Sequence, residues 1–275
     1  GGGGEGTETA VITRRMRLLT EVNPVPDPML SVNGNVGILG ILTAAILSVG
    51  DNATITGALS VGSSLNVEGN ATIDGKLSVG GSLQVEKEVT TSLLSVENNA
   101  TIDGTLSVGG SLNVEGEFVT SLLFVEANAT IDGTLSVGGS LNVEGEFVTS
   151  LLSVETNATI DGTLTVASAI LADTTLSVGS FLHVGDSATI IGTLTTKTLT
   201  VPETVTVGQT LSVASSVTTH EVTTDVLAVA SMATVGTTLS VGSSLHVGET
   251  VTVGQTLSVA SSVTTHEVTT DVLAV

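Results

Sequence analysis

The sequence predicts an all-β chain, a repetitive β-helix or β-solenoid assembled from units of five and six residues. Three observations predict it. The chain repeats itself at several scales, apolar residues recur at i and i+2, and a connector usually containing Gly follows each such pair. Residues 99–116 read NATIDGTLSVGGSLNVEG and return at 128–145, an offset of 29. Residues 203–229 (ETVTVGQTLSVASSVTTHEVTTDVLAV) return at 249–275 with no substitution in 27 positions, an offset of 46.

Both long periods are composites of one short unit, which reads apolar, any residue, apolar, then a connector: LSVGGS, LNVEGN, ATIDGK. Forty-three such units follow one another without a break from Leu30 to Val275. Most steps are six residues, and five-residue steps begin at Leu42, Val89, Phe118, Phe147, Leu194, Val217, Val222, Val263 and Val268. Each short unit carries Thr or Ala at its third position, where the longer units almost always carry Val or Ile. The i, i+2 spacing points both apolar side chains to one face of a short extended segment, and Leu, Val, Ile and Thr suit strands. Gly or Asn in the connector supplies a corner where positive φ is needed. Such a strand buries almost nothing alone, so the units must stack along an axis. A helix is excluded, because Gly every sixth residue fits no 3.6-residue stripe.

Taken in chain order, residues 1–29 stand apart from the array. Residues 1–4 are Gly and read as a flexible stretch, while residues 11–19 hold Arg14, Arg15 and Arg17, half of the six basic residues. A short helix or anchoring arm is one reading of that stretch, and a plain surface segment is the other. NPVPDP at 23–28 is a proline-stiffened, extended entry. Residues 30–275 form one continuous β-repeat array, with the 29-residue composites at about 77–164 and the 46-residue composites at about 203–275. There is no initiating Met, and the second long copy stops at Val275 where the first continues past Val229 into Ala230, so the chain is expected to be a fragment of a longer array.

Composition excludes several function classes. The 275 residues hold 6 Lys+Arg against 27 Asp+Glu, a formal net charge of −21 that cannot neutralise phosphates, so nucleic acid and anionic membranes are excluded as partners. Without Cys there is no disulfide, thiolate zinc site or haem attachment. At 12% the charged fraction is low enough to argue against disorder. The most apolar stretch, 36–49, is shorter than the ~20 residues a helix needs to cross a bilayer, so no membrane insertion is expected.

Two architectures fit these units, and both resemble known families. In one, a single chain coils with three units per turn, similar to the left-handed β-helix of hexapeptide-repeat acyltransferases. The residue after the inner aliphatic is repeatedly Gly, Glu or Asp, as at Val61-Gly62, Val67-Glu68, Ile73-Asp74 and Val79-Gly80, although Leu usually stands where that family prefers a small residue. In the other, three chains intertwine and each supplies one wall. LSVNGNVGI at 30–38 and LSVGGSLNVEGNATIDG resemble the repetitive shafts of bacteriophage tail fibres and of fibres on large viruses. The long composites hold five and eight units, neither a multiple of three, so equivalent residues would fall on different walls of a single-chain coil but on identical walls of a homotrimer. The trimeric shaft is therefore favoured over a single-chain three-sided β-helix.

No residue constellation points to catalysis, and neither a cofactor nor a metal is implied. His183 and His246 occupy outward middle positions, and His220 and His266 stand in matching connectors, so their spacing follows the repeat and not a metal geometry. Glu68, Asp74, Asp103, Glu115, Asp132 and Glu144 fall in connectors and are expected to form solvated acidic rows that oppose sideways aggregation. Asn52, Asn70, Asn99, Asn128 and Asn157 each begin an NAT sequon at the end of a connector. They would be glycan acceptors in a eukaryotic secretory pathway, but a turn-forming role is the stronger reading. Phe118, Phe124, Phe147 and Phe181 are few and mostly at inward positions, too sparse for sugar stacking, and no unbroken outward Thr array of an ice-binding kind is evident. Core positions are exemplified by Leu77, Val79, Leu106, Val108, Leu135, Val137, Leu211, Val213, Leu257 and Val259.

The expectation is a non-enzymatic structural protein, a rigid shaft of a virion or extracellular fibre. It would associate with itself as a homotrimer or filament and with neighbouring fibre or virion proteins. The alternative is a single-chain β-solenoid adhesin or surface-binding module.

Overall fold

The inward and outward positions read from the units are realised in a computed structural model. It describes the backbone at residues 10–12, 16–17 and 29–275, and side-chain burial from Leu30 onward. The Gly-rich start and the Pro-rich entry at 23–28 lie outside the described residues. Ala10–Ile12 pairs with Val36–Ile38, and Met16–Arg17 pairs with Leu42 and Thr43, so strand pairing begins before Leu30. The described part of the stretch read as a helix or arm is extended.

The chain is an all-β parallel solenoid with no helix among the described residues. It comprises two compact bodies, residues 1–133 and 134–275. In the N-terminal body, each unit pairs in parallel with the third unit after it, which makes three walls. Leu47, Leu65, Leu83, Ala100 and Phe118 stack on one wall. Val36, Ala53, Ala71, Val89 and Leu106 stack on the second, and Leu42, Leu59, Leu77, Leu94 and Leu112 on the third. The C-terminal body follows the same rule, as in Leu141 on Ala158 on Leu176 on Leu194. One chain thus closes each coil. The parallel pairing follows from coiling in one sense, because each wall is always traversed in the same direction.

First and third positions of the units form the core. Leu77, Val79, Leu106 and Val108 are buried in the N-terminal body, and Leu135, Val137, Leu211, Val213, Leu257 and Val259 in the C-terminal body. Each buried Leu or Val stabilises by ~1.5–3 kcal/mol relative to exposure, so a narrow aliphatic interior replaces the aromatics of a globular core. Leu or Ala starts most units while Val or Ile ends them, and side chains of different size share a wall, as where Ala100 lies between Leu83 and Phe118.

The corners depart from expectation in a way the geometry explains. Glycine was expected there for positive φ, yet among the described glycines only Gly40 has it, at 129°. At most of the other corner glycines the requirement is close approach. A Cβ on Gly75 would stand 2.6 Å from the carbonyl oxygen of Gly57, one coil earlier on the same corner.

Five-residue units have a separate solution. The buried polar side chains among the described residues are Thr91, Thr120, Thr149, Thr196, Thr219 and Thr224, each the third residue of a short unit. Shortening the corner turns backbone carbonyls toward this side chain. The Thr91 hydroxyl stands 2.9 Å from Gly75 O and 3.2 Å from Leu93 O, and Thr120 stands 3.2 Å from Gly104 O and 3.1 Å from Leu122 O. Thr219 and Thr224 repeat the arrangement against Glu203 and Glu221, and against Gln209 and Val226. One hydroxyl proton is shared between two acceptors, so neither carbonyl faces only hydrocarbon.

Candidate interaction surfaces

With the apolar pairs inside, chemistry is confined to the middle residue of each unit and to the corners. The corner asparagines are the most organised group. In the N-terminal body Asn52 N donates to Asn35 Oδ1 at 3.1 Å, Asn70 N to Asn52 Oδ1 at 2.8 Å and Glu88 N to Asn70 Oδ1 at 3.3 Å. Glu117 N donates to Asn99 Oδ1 at 3.0 Å, and in the C-terminal body the Thr174 hydroxyl donates to Asn157 Oδ1 at 2.9 Å. The carboxamide therefore bonds to the following coil at Asn52, Asn70, Asn99 and Asn157, which is a structural role for these sequon residues. Asn128 contributes its main-chain oxygen to Leu112 N at 3.0 Å. Within each NAT sequon the Ala is buried, and Asn and Thr flank it on the outer side.

The acidic residues Glu68, Asp74, Asp103, Glu115, Asp132 and Glu144 are all exposed corner residues. Pairing of Leu65 with Leu83 and of Leu83 with Ala100 places Glu68, Glu86 and Asp103 on one corner in successive coils. Among the described residues no three of His, Cys, Asp or Glu are grouped as metal ligands. His183, His220, His246 and His266 are exposed and stand apart from one another, and His266 Nδ1 donates to Gly248 O.

Two surface expectations need correction. Phe118 and Phe147 are buried, but Phe181 is 53% exposed and Phe124 is half-buried, so only two of the four point inward. Phe124 is a middle residue and Phe181 a connector residue, and the unit frame itself assigns both to the outside. A threonine column also exists. In the C-terminal body Thr218, Thr234, Thr252 and Thr269 pair in successive coils of one wall. Aligning the units in threes would have shown it, since the spacing is 16 to 18 residues rather than 29 or 46. The column is one residue wide, because Ser216, Met232, Thr250 and Glu267 occupy the neighbouring outward positions.

Depressions on the surface are shallow. One in the N-terminal body is lined by Asp74, Thr90, Ser92, Ser107 and Glu126, where the Ser92 hydroxyl donates to Asp74 O at 2.5 Å. Two in the C-terminal body lie beside His220 and His246. None joins a nucleophile to a base and an orienting group. Set beside protein-family models, curated proteins and solved structures, the chain matches none of them.

Proposed function

We propose that the chain is a structural spacer, a shaft segment of a virion fibre or extracellular appendage that holds other domains apart. The observation that supports this reading is the inward pair carried by every unit from Val36 to Val259 with the parallel register around it, a design that specifies axial continuity rather than a concave site. A ladder of backbone hydrogen bonds along three walls resists bending. Exposed acidic corners keep such surfaces from associating sideways. On this reading the chain is non-catalytic, and its partners are copies of itself and adjoining fibre proteins.

The alternative, a single-chain solenoid that binds a surface, draws on the closure of each coil by one chain. Native mass by light scattering, with refractive index for concentration because Trp and Tyr are absent, separates the assemblies. A mass near three times 27.3 kDa supports a trimeric shaft, and 27.3 kDa leaves the single-chain solenoid. Specific retention of the chain by a glycan array or a cell surface would overturn the spacer reading.

A further inference from the structure

The NAT sequons have no part in the spacer reading, and the geometry of their corners sets one of them apart. At Asn99 the whole corner, Glu97, Asn98 and Asn99, is exposed, whereas Asn52 and Asn70 are half-buried. Ala100 opens its strand and is buried, so Asn99 and Thr101 stand together on the outer side of the wall.

The carboxamide of Asn99 has a fixed orientation. Its partner in the next coil is the Glu117 main-chain N–H at 3.0 Å, a donor, so the atom that faces that coil is Oδ1. Gly116 makes room for this oxygen, because a Cβ there would collide with it. Nδ2 is thereby turned away from the next coil, and it makes no hydrogen bond among the described residues. A sugar linked through Nδ2 would leave Oδ1 as an acceptor, so modification and the corner bond are compatible at Asn99. Asn52 is different. Its Nδ2 donates to Asn35 Oδ1 at 3.1 Å, and a sugar there competes with the coil below. Asn70 follows Asn52 on the same corner one coil on. At the ~4.8 Å spacing of adjacent strands, two sugars side by side would collide.

We propose that Asn99 is a site of N-linked glycosylation, with Thr101 completing the sequon and an oligosaccharide carried on a lipid diphosphate as the donor. Nδ2 attacks the anomeric carbon of the first sugar and gives up one proton to solvent. The bond from that carbon to the diphosphate oxygen breaks, and the lipid diphosphate leaves with its electron pair. Nδ2 keeps one N–H, and Oδ1 stays on Glu117 N. The sugar is added to the extended chain, and selection among sites acts as the coils close. A chain modified at Asn99 closes normally, whereas one modified at Asn52 loses its bond to Asn35. The glycan projects from a corner that carries Glu97 and, one coil on, Glu115. The inference rests on the geometry of the corners and stands whether or not the chain is a spacer.

The test directs the full chain into a eukaryotic secretory pathway and divides the translocated product into total and protease-resistant pools. Enzymatic release of sugars in heavy-oxygen water, followed by peptide mass, reports occupancy at each Asn. Asn99 should be occupied in most molecules, and the ratio of Asn99 to Asn52 occupancy should rise in the protease-resistant pool. Thr101→Ala should abolish modification at Asn99 alone. Hydrogen exchange at the Glu117 amide should be the same with and without the sugar, because its acceptor is untouched. An unoccupied Asn99, an equal ratio in the two pools, or a Glu117 amide that exchanges faster when the sugar is present overturns the proposal.

Discussion

Coils built wholly of six-residue units and coils containing a five-residue unit share one interior but satisfy their backbone differently. Around Val108 the third position is hydrocarbon, while around Thr120 the shortened corner needs a hydroxyl between Gly104 O and Leu122 O. Valine and threonine have nearly the same shape. The comparison teaches that in eight of the nine short units, with buried Ala44 the exception, the third position reads the length of the corner beside it through one polar atom at nearly constant volume.

The largest effect should come from a charge in the hydrocarbon interior. Val108→Asp buries an unpaired carboxylate and should cost more than ~3 kcal/mol, seen as loss of the cooperative melt by circular dichroism. An unchanged melt would show that Val108 does not face inward. A reciprocal exchange sharpens the comparison. Thr120→Val strands two carbonyls, and Val108→Thr buries a hydroxyl in a six-residue unit, so each should cost ~1–3 kcal/mol although neither changes volume. Equal stability of Thr120→Val and the parent would remove the hydroxyl as the reason for the short-unit rule.

Smaller effects belong to the outside, where both kinds of coil are wet. Asn70→Ala deletes the acceptor for Glu88 N at 3.3 Å, and the half-buried corner should lose ~0.5–1.5 kcal/mol in the same melt. His246→Ala, at an exposed middle position, should stay within ~0.5 kcal/mol of the parent. A loss of several kcal/mol at His246 would point to a packed role that the wall does not display.

Much of this was legible in the residues. The unit frame from Leu30 places side chains inward and outward correctly at Phe118 and Phe147 as well as at the aliphatic positions, and it marks every short step by its Thr or Ala. The Phe181 reading failed only where the frame was not applied to it. Other features were not legible, because they depend on residues about 16 to 18 apart meeting across a corner. The approach of Gly75 to the Gly57 carbonyl, the asparagine ladder from Asn35 to Glu88 and the threonine column from Thr218 to Thr269 are contacts between coils, and no short motif encodes them.

By itself the sequence determined the all-β class, the boundaries of each unit, and which side chains face the interior, because a two-residue period leaves an extended segment only one way to bury its apolar pair. The tertiary structure decided which unit lies on which, and so the reason for each exception. Orientation is a local property of the backbone, whereas burial needs another coil to arrive, and that depends on what the chain places above.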